Sequence, residues 1–402
     1  PRCDLKSKCA YELQRKKAVL AKYRVLNFSY FLSENNFSKG RFSNQDIVIV
    51  DEADRIEDSL IDFVSLVIGY RIKLFLKSIG IYEPKFKTVY ESWIEWANKS
   101  VPLLINEKDK LEEIVSEPNP SIEDIKDFHL AKNILSKLLI LRESSSDKWI
   151  RYEIENKIIF RPIWLSEFLS EKFLFRHSNK FILMSATLPE IRILSYLLGI
   201  NIDDLDFLEL DSPFNPENRQ IIYEPYADMS FKVFEIDKLI KKIKEVLNNH
   251  KNEKGIIHTV SYKIRDIVMA EISNDRLITH NTKDKEVILA RFKSSDRPLV
   301  LVSPSIDRGV SLDDNQARFA IWCKVPYQNL IDKVVSARVY SSNFGKEWYQ
   351  ADAANTVLQG CGRIVRSFTD YGVSYLFDKQ FDKLFNKAKY FPKWFREAII
   401  WR

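Results

Sequence analysis

Asp46-Ile47-Val48-Ile49-Val50-Asp51-Glu52-Ala53-Asp54 is the stretch on which the fold turns. Four consecutive β-branched residues end abruptly in two adjacent carboxylates. The run is short, apolar and not alternating, which predicts a strand buried on both faces, as in a parallel sheet. Carboxylates at the C-terminal end of such a strand lie where open α/β sheets bind their ligands. Asp51 at the strand tip can hold Mg²⁺ through its waters, and Glu52 can orient or deprotonate an attacking water. A strand followed by an acidic helix N-terminus, where Asp and Glu favour the dipole, would read the same way.

Composition narrows the classes. The 402 residues are 45% hydrophobic and 29% charged, which suits a globular chain of two or three domains. The net charge of +6 is compatible with a polyanionic partner without requiring one. Aromatic residues make up 13%, enough to supply both a core and some base-stacking rings. No run of eighteen apolar residues occurs, so no spanning helix is expected, and no apolar signal segment follows Pro1-Arg2-Cys3-Asp4. The four cysteines, Cys3, Cys9, Cys323 and Cys361, are scattered, which fits a reducing compartment better than a disulfide framework. A start without Met suggests a fragment or a processed chain.

Outward from the opening strand, residues 5–22 have helical character, and Val25 to Leu32 predict a strand running into a helix. Helical patterning takes over after Glu57-Asp58 and lasts to about Asp147, with a capping-box pattern at Ser121-Ile122-Glu123-Asp124 and no strand alternation long enough to trust. Strands are expected at 157–160 and 181–184. A domain boundary is expected at Ser212-Pro213-Phe214-Asn215-Pro216. Beyond it strands at 255–259, 276–280, 298–303 and 319–323 alternate with helices at 236–248, 262–273 and 283–292, which implies a parallel sheet.

Three further stretches carry chemistry. Gln359-Gly360-Cys361-Gly362-Arg363-Ile364-Val365-Arg366 places two arginines three apart; on a helix they would point the same way, and their forks suit the charge on a transferring phosphoryl group. A surface helix with two solvated arginines is the plainer alternative. Ser185-Ala186-Thr187 directly follows a strand, where hydroxyls can bridge to a carboxylate or simply satisfy local backbone. Ser303 to Leu312, including Asp307, Arg308 and Gly309, follows another strand and suits a ligand loop or a connecting turn.

The order of these stretches (acidic pair, Ser-Ala-Thr, Arg-Gly-Val loop, Gln-x-x-Gly-Arg-x-x-Arg) resembles motifs II, III, V and VI of superfamily 2 helicases. It looks most like the XPD/DinG branch. Cys9-Ala10-Tyr11, Asn27 to Leu32, Lys324-Val325-Pro326-Tyr327 and Pro392-Lys393-Trp394-Phe395 also resemble segments of that branch. The resemblance implies an α/β fold of two RecA-like parallel-sheet domains, with a helical arch insert in the first. The first motor domain would take residues 1–70 and 156–212, the arch 71–155, and the second motor domain 213–402. It implies ATP and Mg²⁺ as cofactors, with ATP between the domains. Asp51 would serve Mg²⁺ and Glu52 the water. Gln359, Arg363 and Arg366 would face the phosphates, one arginine acting as a finger. Ser185, Ala186 and Thr187 would couple hydrolysis to movement, and Asp307, Arg308 and Gly309 would lie near nucleotide and strand. The implied activity is ATP-driven 5′-to-3′ translocation on single-stranded DNA and unwinding of forked duplex, by a monomer in the cytoplasm of a bacterial, archaeal or viral system.

The sequence departs from the branch in places. None of its ten glycines opens a G-x-x-x-x-G-K-[ST] phosphate loop; Gly345-Lys346 comes nearest, with Tyr340 where the first glycine belongs. The expectation is that such a loop precedes Pro1, and that the chain as given does not hydrolyse ATP alone. Asp54 replaces the usual His, and Ser311 the usual Asp. XPD-like enzymes hold a [4Fe–4S] cluster, and Cys3 and Cys9 fall where two of its four ligands would be. Two other classes stay open: a non-catalytic nucleic-acid clamp, and a translocase subunit of a nuclease or defence complex.

Overall fold

The structure, a computed structural model, describes residues 9–38, 40–165, 167–305, 312 and 314–402. The chain divides into two compact units. The first takes the described residues up to Ser185, then Arg192–Leu205 and Leu330–Arg338. The second takes Ala186–Ile191, the described residues of 206–329, and Val339–Arg402.

In the first unit, α1 (Ala10–Leu20) and α2 (Phe28–Phe37) come first. The strand expected before α2 does not form. Asn27 instead caps the helix, its side chain accepting from the N–H of Ser29 at 2.9 Å and of Tyr30 at 3.3 Å. Then come β1 (Val48–Val50), α3 (Ile56–Val64), β2 (Leu66–Ile68), α4 (Tyr70–Ser78), α5 (Tyr90–Ser116), α6 (Ile122–Arg142), β3 (Trp149–Ile154), β4 (Lys157–Pro162), α7 (Glu167–Phe173), β5 (Phe181–Leu183) and α8 (Ile191–Leu198).

β1 pairs in parallel with β5, Val48 opposite Phe181 and Val50 opposite Leu183. Burial on both faces, however, is not observed. Ile47, Ile49, Ile182 and Met184 are exposed, because among the described residues this sheet has only two strands. α3 buries Ile56, Leu60, Ile61 and Val64 at helical spacing, which holds the acidic end of β1 against the unit's core.

The long helices α5 and α6 stand on a second small sheet, antiparallel, in the order β2-β4-β3. Trp93 of α5 sets its ring edge-on to Phe160 of β4, centroids 5.1 Å apart, and to Trp96 at 5.2 Å. Ser121 and Asp124 form the reciprocal cap of α6, each side chain accepting the other's backbone N–H at 3.1 Å. β3 went unread because Arg151 and Glu153 break its apolar pattern; only Trp149 and Tyr152 are buried.

Among the described residues the second unit is built on seven strands. β6 (Arg219–Ala227), α9 (Ile236–Asn249), β7 (Gly255–His258), α10 (Tyr262–Glu271), β8 (Leu277–Thr279), α11 (Lys285–Ser294), β9 (Val300–Ser303) and β10 (Phe319–Trp322) alternate as the periodicity requires. After α12 (Lys333–Ser341) come α13 (Asn343–Cys361), β11 (Gly372–Asp378), α14 (Asp382–Phe385), α15 (Lys393–Arg396) and β12 (Ile399–Trp401). The sheet order is β12-β6-β11-β10-β7-β9-β8, with every pairing parallel. This is the α/β architecture expected for a RecA-like domain. Its four central strands β10, β7, β9 and β11 are almost wholly buried, and apolar runs such as Val300-Leu301-Val302 need cover on both faces. Gly255 has no side chain because a Cβ there would overlap the Phe319 ring of the neighbouring strand. Among the described residues no helix is long and apolar enough to cross a membrane.

Candidate active site

The acidic turn belongs to the first unit. β1 ends at Val50, and the ladder to β5 continues through Met184 N–H to Val50 O at 2.9 Å and Ala53 N–H to Met184 O at 2.9 Å. Ala53 is fully buried, so the turn is pinned at its far side. Between these anchors the chain must reverse within two residues. Glu52 does so in the left-handed region, φ +52°, a conformation that costs a non-glycine residue about 1–2 kcal/mol. Asp51 Oδ1 accepts the Glu52 N–H at 2.9 Å and steadies the turn. Both carboxylates stay exposed. One exposed carboxylate at a strand tip fits Mg²⁺, which keeps most of its waters and needs few protein ligands.

Asp54, the departure from the family pattern, has a partner: Ser185 Oγ donates to its Oδ1 at 3.0 Å. Of the two options the sequence left open for this hydroxyl, a carboxylate or local backbone, Ser185 takes the carboxylate, within the first unit. Ala186 is exposed. Thr187 is buried and belongs to the second unit, where its Oγ1 accepts a hydrogen bond from Gln359 Nε2. Ser185 and Thr187 thus each bond within their own unit, Ser185 to the acidic turn and Thr187 to the Gln359 helix.

Gln359 lies in the last turn of α13, but Arg363 and Arg366 do not lie on a helix as expected. α13 ends at Cys361 and Gly362 follows as its cap. Gly360 packs where a Cβ would overlap the Trp322 ring, and Ile364 packs where a Cβ on Gly372 would stand. Ile364 and Val365 are buried at 4% and 5% exposure, which draws the chain out of helical register. Arg363 is half-buried and Arg366 exposed on the resulting loop. Two guanidinium groups on an irregular, braced loop can still meet a phosphate. Asp370 escaped notice in the sequence; the available signal was the turn composition of Thr369-Asp370-Tyr371-Gly372 directly after the arginines.

Asp307, Arg308, Gly309 and Ser311 lie outside the described residues, as does Cys3. The described cysteines do not fit a [4Fe–4S] cluster. Cys9 precedes α1 in the first unit. Cys323 and Cys361 are buried in the second, where burial pushes the Cys361 thiol up to about 12 and raises that of Cys323 as well. Cluster ligands must be thiolates, the form that burial disfavours at both positions. No group of three or more metal-ligating side chains occurs among the described residues.

Comparison with known proteins converges on one group. The DEAD_2 family model matches residues 3–71, and the helicase C-terminal domain model matches residues 240–398. A probable ATP-dependent helicase of Methanocaldococcus jannaschii is 22% identical over 470 residues, covering 93% of this chain and 70% of that protein. The general transcription and DNA repair factor IIH helicase subunit XPD of Dictyostelium discoideum is 29% identical over 144 residues, 32% of this chain and 18% of that one. Among solved structures, an apo XPD superposes with a TM-score of 0.57 at 16% identity, over 96% of this chain and 83% of that chain. At that identity the superposition speaks to the fold alone.

Proposed function

Because this chain belongs to the XPD/DinG-like branch of superfamily 2 helicases, we propose that it is the motor of an ATP-dependent translocase that moves 5′ to 3′ on single-stranded DNA and opens forked duplexes. A helicase function on nucleic acid comes with the family. The DNA substrate, the polarity, the unwinding, and action as a cytoplasmic monomer are the proposal.

The observation that carries it is the Ser-Ala-Thr segment, bonded through Ser185 to Asp54 and through Thr187 to Gln359. We read the segment as coupling hydrolysis to movement. In this reading Asp51 holds Mg²⁺ through water, and the ion when bound neutralises phosphate charge. Glu52 accepts the proton of the attacking water. Arg363 and Arg366 meet the charge that develops on the phosphoryl group, one of them as the finger. Asp307, Arg308 and Gly309 complete the loop that senses nucleotide and strand. The uncovered parallel pair β1–β5 is the seat we propose for a segment carrying a phosphate loop, supplied by more of the same protein or by a partner chain.

ATP turnover of the full-length natural protein, with and without single-stranded DNA, tests this reading together with strand displacement on forks bearing a lone 5′ or 3′ tail. Stimulated turnover and opening from the 5′ tail are expected. Tight single-strand binding without turnover would make the chain a non-catalytic clamp. Turnover without displacement would make it the translocase of a nuclease or defence complex.

A further inference from the structure

We infer that Asp370 and Arg318 form a positioning pair that sets the backbone of Arg366, and through it the direction of the Arg366 guanidinium. The inference rests on reading Arg366 as a phosphate-facing arginine.

Arg366 sits beyond the end of α13, so no helix holds it. Its guanidinium is at the end of a long exposed side chain, and a small backbone rotation would swing it by several ångströms. Something must fix the loop at this residue. Asp370 does so from beneath. It is 1% exposed, and both its oxygens are engaged. Oδ2 accepts the backbone N–H of Arg366 at 2.9 Å. Oδ1 accepts the N–H of Tyr371 at 2.9 Å and Nη1 of Arg318 at 2.5 Å. The Asp370 N–H donates to Ser367 O at 3.2 Å, closing the turn between the two.

Arg318 is itself immobilised. It immediately precedes β10, its backbone N–H donating to Lys254 O at 2.8 Å and its carbonyl accepting from Val373 N–H at 3.0 Å. Its guanidinium reaches Tyr371 O at 2.8 Å, meets Asn315 Oδ1 at 3.1 Å from Nε and 2.7 Å from Nη2, and stacks 4.1 Å over the Tyr371 ring. The loop is therefore tied to the central sheet through one carboxylate.

A purely structural tie would not need a buried charge. Apolar residues of similar volume hold a loop as well or better, because an ion pair must first be desolvated. A carboxylate is the group that grips a particular backbone N–H, and the one gripped is that of Arg366. Misplacement of a transition-state group by about 1 Å can cost on the order of 100-fold in rate.

The test is steady-state ATP turnover of the full-length protein carrying Asp370→Asn, Arg318→Lys or Arg366→Ala, and the double variant Asp370→Asn/Arg366→Ala. Thermal melts establish that each is folded. Asp370→Asn should lower kcat by about 10- to 100-fold, with KM for ATP changed less than about twofold. Arg318→Lys keeps the charge but loses the fork, and should fall between that variant and wild type. The double variant should be no slower than Arg366→Ala alone, because the pair acts through that side chain. Multiplicative losses, full turnover in Asp370→Asn, or unfolding of both the Asp370 and Arg318 variants would overturn the inference. If Arg366→Ala alone keeps wild-type turnover, the reading of Arg366 falls, and the pair's role falls with it.

Discussion

Arg338 and Glu57, 281 positions apart in sequence, meet as a buried ion pair in the first unit. Nη2 of Arg338 lies 2.5 Å from Oε1 of Glu57, and both side chains are at most 9% exposed. Arg338 also donates from Nε to Ile163 O at 2.8 Å and stacks over the Trp164 ring at 4.6 Å. Glu57 lies in the first turn of α3, the helix that follows the acidic turn. Burial pushes its carboxyl from the ordinary 4.5 up to about 7, against the pull of Arg338.

The pair makes stability depend on pH. A carboxyl whose folded value is raised contributes stability that is fully present below 4.5 and is lost as pH climbs through about 7. Urea midpoints measured between pH 5 and pH 8 should therefore fall with rising pH, and Glu57→Gln should flatten that slope. Arg338→Ala should cost about 3 kcal/mol at pH 8, where it strands a buried carboxylate, and clearly less at pH 5.5, where Glu57 takes up a proton. Equal losses at the two pH values would exclude this linkage.

Glu52→Gln keeps the volume and removes the carboxylate that the proposed mechanism uses as its base. Turnover of the full-length protein should drop by about 100-fold or more, while single-strand affinity stays within about twofold. Unchanged turnover would remove Glu52 from the mechanism.

Thr187→Val deletes the acceptor for Gln359 while keeping the shape of the buried side chain. DNA-stimulated turnover should persist at about half or more of wild type, and strand displacement should fall by about tenfold, as expected for a lost conformational link. A proportional fall in both would mean that Thr187 serves hydrolysis rather than coupling.

Two glycines separate crowding from backbone conformation. Gly372→Ala would drive a Cβ into Ile364, and should cost about 1–3 kcal/mol through overpacking. Gly80 has open space around its missing Cβ but a φ of +79°, so Gly80→Ala should cost about 1 kcal/mol through strain alone. Urea unfolding of the two variants checks the order.

The second unit was largely legible in the sequence, because strands such as Val300–Ser303 are short apolar runs set between helices of ten or so residues. β6 and β11 were not, since Glu224, Pro225, Ser374 and Asp378 interrupt their hydrophobic runs and only the neighbouring strands make sense of them. Sequence reasoning singled out candidate residues where motifs are local: the acidic turn, the Ser-Ala-Thr segment, the Gln359 helix. It misled where packing overrode spacing. Ile364 and Val365 look helical beside Arg363, yet their burial and the grip of Asp370 on Arg366 pull the loop away from α13. Arg338 with Glu57, and Arg318 with Asp370, are partnerships across 281 and 52 positions, and no local pattern announces them.

The bare parallel pair of β1 and β5 also bears on handling. Ile47, Ile49, Ile182 and Met184 line an apolar face of a sheet that, among the described residues, has two open edges, the combination that templates intermolecular strand addition. The protein should self-associate through its first unit well before its seven-stranded sheet unravels. A lysine at Ile49 would act as a solubilising gatekeeper there without touching either carboxylate.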